Sequence, residues 1–464
     1  MTPVRVGRSR FRSSRPIPRR DGRPTRVLIL GGGFVGLYTA INLEKRLPAD
    51  EIDITLVNPE SFMAYQPFLP EAASGNIEPR HVVVPLRTVL KSTRLVTGSV
   101  TAMDHGRRSA TVHPVKGAPY DMAYDIVVIA LGSVSRVLPV PGLADYAIGF
   151  KSVAEAIFLR NHVLECMDAA ESTVDQDVRR RVLTFVFVGG GYAGVEALAE
   201  LEDLARDATR RYRHTHRADM HWMLIEAAPM ILPEMAPDMG PYAVRILRDR
   251  GIDVRLGTTL ESAEGGHLRL SDGDEFDAET LVWTAGVRPH PFVSELGLPV
   301  DERGRLVVDA YLRVQEVNGA WAAGDCAAVP DLTTGESNPP TAQHALRQAR
   351  RLAANVAATL HEEPLKEFRY KNMGGIASLG RYKGIARVFT FRFKGFPAWW
   401  LHRNYHLVMI PTLNRKIRII LDWTVGLFFR RDVVQLGSLQ DPRHAFEEAA
   451  GMNRRWDRPR ANRR

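Results

Sequence analysis

The sequence has only two cysteines in 464 residues, Cys166 and Cys326, and they stand far apart in the chain. They form no C-x-x-C or comparable pair, which argues against a disulfide framework, a cysteine-ligated metal site and dithiol relay chemistry. We expect Cys326 to be a small packing residue. The chain also has no run of about 18 uncharged apolar residues, so no helix is expected to span a bilayer. The first residues lack the apolar segment of a secretory signal, and none is expected.

Positive charge is scarce outside the two ends of the chain. The formal net charge is +9, but residues 1–26 hold nine Arg against one Asp, and residues 453–464 hold six Arg against one Asp. These tails carry more than the whole net charge, so the rest of the chain is slightly acidic. An acidic body argues against a nucleic-acid groove, and we expect no nucleic-acid partner. The tails are either solvated arms or segments attracted to an anionic membrane surface.

One glycine motif occurs twice, each time between a short buried-type strand and an Ala/Leu/Glu-rich helical stretch. The glycines are Gly31, Gly33 and Gly36 in the first copy and Gly189, Gly191 and Gly194 in the second. In a dinucleotide-binding unit these glycines make a tight turn, let a pyrophosphate approach the backbone, and let the helix pack on the strand. We predict the two helices over 37–47 and 195–204. A structural glycine turn is the alternative for either copy alone, but the pair predicts two bound dinucleotides.

The strand ends distinguish the two units. The position where an acidic residue usually holds the adenosine ribose is Asn58 in the first unit and Glu226 in the second. An amide can still bond a hydroxyl. Glu226 would repel a 2′-phosphate, and no Arg follows it, so NADH is favoured over NADPH unless Glu226 is a solvated surface residue. Each unit has a later strand that ends in a glycine turn, at Gly132 and Gly286.

Two further segments favour FAD in the first unit. Trp321-Ala322-Ala323-Gly324-Asp325 is similar to the late motif with which flavoproteins hold the ribityl chain and pyrophosphate; Asp325 could also be a helix N-cap, and the two roles are compatible. The loop of residues 65–71 is proline-stiffened and aromatic. It either faces a planar ring system or packs against the core.

With two dinucleotide units, the late Ala-Gly-Asp motif and no redox cysteine pair, residues 25–435 resemble the type II NADH dehydrogenases, FAD-containing NADH:quinone oxidoreductases that do not pump protons. The resemblance implies an α/β fold with two Rossmann-like dinucleotide-binding domains, for FAD and NADH, and a C-terminal amphipathic helical membrane-docking segment. The implied divisions are a basic arm (1–25), an FAD-binding domain in two parts (26–150 and 288–360), an NADH-binding domain (151–287), a membrane-docking and quinone-side domain (361–437) and a basic tail (438–464).

The resemblance also implies roles for particular residues. Gln66 and Pro67 belong to the loop beside the flavin, and Glu196 matches an acid near the flavin and quinone pocket. Burial would suit Glu196 to proton handling, although a structural hydrogen bond is the alternative. Ala342 and Gln343 begin the quinone-site helix, whose positive end would stabilise a reduced, anionic flavin. Two positions depart from the family pattern: Arg347 stands where a second Gln is usual, and Met373 stands where a Lys is common.

The expected activity is therefore hydride transfer from NADH to FAD, followed by transfer of two electrons to a membrane quinone, either menaquinone or ubiquinone. The expected location is the cytoplasmic face of the cell membrane, as a peripheral protein. Because both departures lie on the acceptor side, a soluble NADH-dependent flavoprotein reductase with a non-quinone acceptor is an alternative, as is a redox-sensing protein that binds FAD and NADH. A sulfide:quinone oxidoreductase would need the cysteine pair that is missing here.

The membrane-docking expectation rests on two amphipathic helical stretches in residues 396–431. Their apolar stripes are interrupted by charges, so we predict helices that lie in the interface, with Trp399, Trp400 and Trp423 at headgroup depth and the cations toward anionic lipid. A core or dimer-forming helical hairpin is the competing interpretation. His402 and His406 are spaced i,i+4, but a metal site is not favoured because no third ligand is evident.

Overall fold

The computed structural model describes residues 22–370 and 374–435. Nearly all of the predicted basic arm, all of the predicted basic tail and Met373 lie outside these residues. No helix in the described ranges is long and apolar enough to cross a bilayer.

Eleven α-helices form in the described residues. In chain order they are α1 (Phe34–Glu44), α2 (Leu69–Ala73), α3 (Leu86–Val89), α4 (Leu143–Tyr146), α5 (Val153–Ser172), α6 (Gln176–Val182), α7 (Tyr192–Ala208), α8 (Met239–Arg248), α9 (Ala342–Leu360), α10 (Phe396–Met409) and α11 (Leu413–Phe428).

The strands of the same residues alternate with these helices. They are β1 (Thr25–Leu30), β2 (Ile52–Asn58), β3 (Phe62–Ala64), β4 (Val83–Pro85), β5 (Arg94–Asp104), β6 (Ser109–Pro114), β7 (Tyr120–Ala123), β8 (Ile126–Ile129), β9 (Ser133–Ser135), β10 (Ile148–Gly149), β11 (Thr184–Val188), β12 (His221–Glu226), β13 (Ile252–Leu256), β14 (Leu260–Ser262), β15 (His267–Leu270), β16 (Glu275–Asp277), β17 (Thr280–Trp283), β18 (Val287–Pro289), β19 (Leu306–Val307), β20 (Ala320–Ala322), β21 (Ala327–Ala328), β22 (Ile376–Ser378), β23 (Gly384–Val388) and β24 (Phe391–Lys394).

The first large sheet has seven strands in the order β20-β8-β1-β2-β5-β6-β7. The five strands from β20 to β5 are parallel, and β6 and β7 add an antiparallel edge. Strand β8 is completely buried, as expected where helices cover both faces of a parallel sheet. The chain returns to the first sheet at β20, after it has formed the second unit. Because β20 ends at Ala322, the residues near 325 lie at the carboxyl edge of this sheet.

The second large sheet has five parallel strands in the order β10-β17-β11-β12-β13. Its central strand β11 is fully buried. Strand β10 pairs with β17, so this sheet begins at Ile148, slightly before the division predicted at 151. The α/β fold with two parallel, dinucleotide-type units agrees with the sequence prediction.

The two helices after the glycine motifs start earlier than predicted. Helix α1 covers Phe34–Glu44 and helix α7 covers Tyr192–Ala208, each directly after an extended N-cap glycine. The apolar periodicity used for the prediction begins only at the buried positions, whereas the helix begins where the backbone turns. Helix α1 also ends before Leu47, since Pro48 follows closely.

The C-terminal segment forms a small antiparallel sheet, β22-β23-β24, on which helix α10 packs, followed by helix α11. The predicted headgroup position is wrong for two of the three tryptophans. Trp399 is buried, and Trp423 donates from Nε1 to Glu71 Oε2 at 2.9 Å. Arg403 lies between their rings, 4.2 Å and 4.8 Å from the centroids, and pairs with the same carboxylate. Only Trp400 is exposed.

The glycine turns fix how closely helix and strand approach. Gly31 has φ +99°, a conformation that L side chains rarely adopt. A Cβ atom on Gly36 would lie 1.8 Å from the Gly31 carbonyl oxygen, whereas a Cβ on Gly33 would meet nothing within 4 Å. Position 36 therefore requires glycine for packing, and position 33 does not.

We expect Gly36→Ala to lower the free energy of unfolding by about 1–3 kcal/mol, because the added methyl group forces α1 away from β1. Gly33→Ala is the matched control, with a smaller expected loss of about 0.5–1 kcal/mol, because alanine is a poorer N-cap than glycine but meets no neighbouring atom. Thermal and denaturant unfolding followed by circular dichroism measures both. Equal losses for the two variants would contradict the packing argument.

Candidate functional site

The first glycine turn leaves a helix N-terminus open at the edge of the first sheet. Gly33 is the N-cap of α1 and has no side chain with which to satisfy the first backbone N–H groups. These N–H groups and the positive end of the helix dipole form an anion site of the type that binds a pyrophosphate. The residues present therefore fit a dinucleotide in the first unit.

The second turn repeats this geometry on the second sheet. Gly189 has φ +116°, and a Cβ on Gly194 would lie 2.1 Å from the Gly189 carbonyl oxygen. Gly191 is the side-chain-free N-cap of α7. Gly286, at the turn after β17, has φ +86° and accepts a hydrogen bond from the backbone of Arg136. The second unit thus offers the same fit to a second dinucleotide.

Asn58 and Glu226, the two positions predicted to bind a ribose, occupy equivalent places in their units. Asn58 Oδ1 accepts from the Gly32 backbone N–H at 2.7 Å, and Glu226 Oε2 accepts from the Gly190 backbone N–H at 2.5 Å. Glu226 Oε1 also accepts from the backbone of Ala228 at 2.7 Å. Each side chain is thereby held against the second glycine of its turn, and the carboxylate of Glu226 is fixed at the carboxyl end of β12.

Asp325 lies at the carboxyl edge of the first sheet, near the turn at Gly132. Ser133 donates from Oγ to Asp325 Oδ2 at 2.6 Å, and Lys151 donates from Nζ to Ser133 Oγ at 2.6 Å. Burial lowers the pKa of Lys151, while the charge of Asp325 acts in the opposite direction. Gln66 donates to the Lys151 carbonyl oxygen at 3.2 Å, so the loop at 65–71 reaches this edge.

Sequence reasoning missed Lys151 and Ser133, which join Asp325 to the loop. It also gave no role to Gln348, whose side-chain oxygen accepts from the backbone N–H of Gly324 at 2.8 Å. Gln348 is buried and holds the Ala-Gly-Asp turn in place. A glutamine at helical spacing from Ala345 and Leu352, in line with apolar positions, is the signal that could have identified it.

A mostly apolar pocket lies between α1, the 65–71 loop, α9 and α10. Its lining residues are Phe34, Tyr38, Tyr65, Pro67, Ala342, Gln343, Leu346, Tyr405, His406 and Met409. Helix α9 begins at Ala342 as predicted, with Thr341 as its N-cap. The Gln343 side chain accepts from the Tyr370 hydroxyl at 3.0 Å, and Arg347 lies over the Tyr370 ring at 4.3 Å.

Glu196 lies on the first turns of α7 and is buried. Its Oε1 accepts from the Ser378 backbone N–H at 2.8 Å and lies 3.0 Å from Nε2 of His402. His402 and His406 are thus turned inward from α10. Among the described residues no group of three or more potential ligands could hold a metal ion.

The two cysteines are apart from this site chemistry. Both are buried and free of disulfides. Burial raises the pKa of the Cys326 thiol to about 11, which keeps it protonated near neutral pH. Cys326 contacts the carbonyl oxygens of Ile129 and Ala323. It is a packing residue, as predicted.

Comparison with known proteins gives the family. The family model described as pyridine nucleotide-disulphide oxidoreductase matches residues 25–349. The type II NADH:quinone oxidoreductase Ndh of Mycobacterium tuberculosis is 30% identical over 422 residues, which cover 88% of this chain and 89% of that protein. The type II NADH:quinone oxidoreductase of Staphylococcus aureus is 32% identical over 371 residues, covering 78% and 90%.

A solved structure, NDH2 from Plasmodium falciparum in complex with NADH, has a TM-score of 0.83 and 17% identity to this chain, and covers 89% of it and 100% of that chain. At this identity the match shows a shared fold. The family resemblance inferred from the motifs is confirmed by the sequence relatives. On this evidence the chain belongs to the pyridine nucleotide-disulphide oxidoreductase family and, within it, to the type II NADH:quinone oxidoreductases.

Proposed function

We propose that this protein oxidises NADH through a bound FAD and passes the two electrons to a quinone. The observation that carries the proposal is the pair of open helix N-termini, α1 and α7, each behind a glycine turn at the carboxyl edge of its own parallel sheet. Two such anion sites serve two dinucleotides. The names of the relatives, NADH:quinone oxidoreductases, support the same assignment.

FAD is assigned to the first unit, because only this unit has the carboxylate of the Ala-Gly-Asp motif, Asp325. When bound, FAD supplies a hydride acceptor and holds two electrons for the acceptor molecule. The backbone at the glycine turn and the N-terminus of α1 would hold its pyrophosphate, and Asn58 would bond a ribose hydroxyl. Residues that would hold the remainder are Gly132, Asp325, Gln66, Pro67 and Ala342, from strand ends, loop and helix start.

NADH is assigned to the second unit. The backbone at Gly189, Gly191 and Gly194 binds the pyrophosphate, and Gly286 closes the turn beside it. Glu226 accepts hydrogen bonds from the ribose hydroxyls and repels a 2′-phosphate. Its carboxylate is already held in position by two backbone N–H groups, so discrimination costs little side-chain ordering.

The quinone is assigned to the pocket under α9 and α10. Its aromatic walls suit a flat, apolar ring, and Gln343 supplies a polar group at one side. The positive end of α9 stabilises negative charge that develops nearby. Glu196 handles protons behind the pocket, in the buried cluster with His402.

We also propose that the protein is peripheral and binds the cytoplasmic face of the cell membrane through α11. The exposed apolar side chains on this helix and at its end are Leu413, Ile417, Ile420, Leu421, Val425, Leu427, Phe428 and Phe429. Only Ile419 of α11 is fully buried, so this face has no partner within the described chain. Nearby Trp400 is exposed and suits the headgroup region.

The first prediction concerns the nicotinamide cofactor. We expect kcat/KM for NADH to exceed that for NADPH by at least about tenfold, which corresponds to about 1.4 kcal/mol. Glu226→Gln should narrow the ratio because it removes the charge that repels the 2′-phosphate. Glu261→Gln, an exposed carboxylate in the same unit, should leave the ratio unchanged. Steady-state ferricyanide assays measure all three proteins, and a wild-type preference for NADPH would contradict the role of Glu226.

The second prediction concerns membrane binding. Leu421→Glu combined with Phe428→Glu should weaken binding to vesicles of phosphatidylglycerol and phosphatidylcholine by at least about tenfold, since each buried apolar side chain contributes about 1.5–3 kcal/mol. Val174→Glu, at an exposed apolar residue elsewhere, should bind as the wild type does. NADH:ferricyanide activity should persist in both. Vesicle co-sedimentation measures the binding. A stable dimer in sedimentation velocity, together with no binding to vesicles, would contradict the prediction, because the dimer would bury α11.

A further inference from the structure

Arg347 brings a positive charge to the side of the acceptor pocket, at a position where the family usually has an uncharged Gln. The guanidinium adjoins two residues that line the pocket. Its Nη1 donates to the backbone carbonyl oxygen of Gln343 at 2.9 Å, and its charge acts on the Tyr405 hydroxyl. Resting on the proposed function, in which this pocket receives a quinone, the question is which quinone such a charge favours.

Stacking fixes the position of the guanidinium. Its carbon Cζ lies 4.3 Å from the centroid of the Tyr370 ring, and the attraction of a cation to an aromatic face stabilises this placement. Tyr370 is itself held in place. Its hydroxyl donates to the Gln343 side-chain oxygen at 3.0 Å, and its ring meets the ring of His344 edge to face, with centroids 5.0 Å apart. The charge of Arg347 therefore has a defined place beside the pocket.

Arg347 has no carboxylate partner within the described part of the chain. Its half-buried guanidinium differs in this respect from that of Arg403, which pairs with Glu71 at 2.8 Å. Arg350, exposed on the same helix, adds a second positive charge, which acts on Tyr38 of the pocket wall. Because a half-buried cation without a counter-charge is only partly hydrated, an anion that enters the pocket gains free energy from meeting it.

The titratable side chains that line the pocket add no negative charge at neutral pH. Burial raises the pKa of Tyr38 to about 12 and also raises the pKa of Tyr65 and of Tyr405, so their hydroxyls stay protonated. Burial lowers the pKa of His406 well below 6.5, so this ring is neutral. Neutral walls beside a fixed cation give the pocket a positive potential, and the apolar surroundings strengthen it because they exclude water.

We propose that Arg347 makes the pocket selective for a quinone whose ring carries an ionised hydroxyl group. In such a hydroxyquinone the negative charge is shared among the ring oxygens, and the guanidinium attracts it while the flat ring lies against the apolar walls. A neutral quinone still binds through the walls and Gln343, but it lacks this attraction. Arg347 is thus a specificity-determining residue for the acceptor.

The test uses two ligands of nearly equal size that differ in charge. The hydroxyl of 2-hydroxy-1,4-naphthoquinone is ionised at neutral pH, whereas 2-methoxy-1,4-naphthoquinone is neutral. Isothermal titration calorimetry on the oxidised, FAD-loaded protein without NADH measures the Kd of each. The quantity compared between variants is the selectivity, the Kd of the methoxy compound divided by the Kd of the hydroxy compound. This ratio cancels the difference in hydration between the two ligands.

Arg347→Gln should lower the selectivity at least about tenfold, because it removes the charge and keeps a polar side chain. The Kd of the methoxy compound should stay within about twofold of the wild-type value. Arg347→Lys keeps the charge and should hold the selectivity within about threefold of the wild type. Arg245→Gln is the matched control, since Arg245 also lies over a tyrosine ring, that of Tyr242, at 5.2 Å but on α8 of the second unit. It should leave both Kd values unchanged.

A measurement on the wild type alone does not depend on how the variants fold. Raising the salt concentration about tenfold should weaken binding of the hydroxy compound and leave binding of the methoxy compound unchanged, because salt screens the attraction between opposite charges. A soluble ubiquinone analogue should displace the hydroxy compound. Binding that the analogue does not displace, or binding of the hydroxy compound that salt leaves unchanged, overturns the inference.

The remaining outcomes separate this inference from the proposed function. If the wild type reduces the ubiquinone analogue and Arg347→Gln has the wild-type selectivity, the role of Arg347 is overturned and the proposed function stays intact. Equal losses of affinity for both naphthoquinones in Arg347→Gln also overturn it, because they indicate a structural role for the stacked side chain. A wild type that reduces ferricyanide, but binds neither naphthoquinone and does not reduce the ubiquinone analogue, overturns both the proposed acceptor and the selectivity.

Discussion

The structure depends on how the acidic face of α7 is neutralised. Glu196, Glu200, Glu202 and Asp203 are all buried on this helix, and buried carboxylates are costly unless they are paired or hydrogen-bonded. The C-terminal segment supplies many of the partners: the backbone of Ser378 and Arg381, the ring of His402, and the guanidinium of Arg431. Arg250, in the second unit, completes the set by pairing with Glu202 while donating to the Leu379 carbonyl oxygen. The C-terminal segment is therefore a part of the fold that α7 requires.

This constraint gives α10 and α11 two different faces. The inner face carries charged as well as apolar groups, and on it Arg403 is stacked between Trp399 and Trp423 and paired with Glu71. The outer face of α11 keeps its apolar side chains exposed. In an ordinary amphipathic surface helix the charges face water and the apolar stripe faces the core. Here part of the charge faces inward, because α7 and α2 present buried carboxylates to α10, and an apolar stripe of α11 stays exposed.

The sequence could predict the two dinucleotide units because their signals are local. The turn at Gly31 and the packing at Gly36 are decided by a handful of neighbouring residues, and the second copy repeats them. The positions of the tryptophans could not be predicted in this way. Whether Trp423 faces lipid or core depends on Glu71, more than three hundred residues earlier, and helical periodicity has no information about which side of a stripe meets a buried carboxylate. The contact of His402 with Glu196 could not be predicted for the same reason, since Glu196 belongs to another unit of the fold.

A site that transfers both electrons and protons must exclude water and still admit protons. Electrons can cross van der Waals contacts between stacked rings. An apolar wall favours this transfer because it excludes water and the side reactions that water permits. A proton needs donors and acceptors nearly in contact, which an apolar wall denies it. The pocket has mostly apolar walls, with Gln343 as a polar group on one side and the contact of Tyr65 with His406 on another. The His406 ring contacts His402, which lies against Glu196, so the polar side of the pocket adjoins the carboxylates that hold the C-terminal segment on α7.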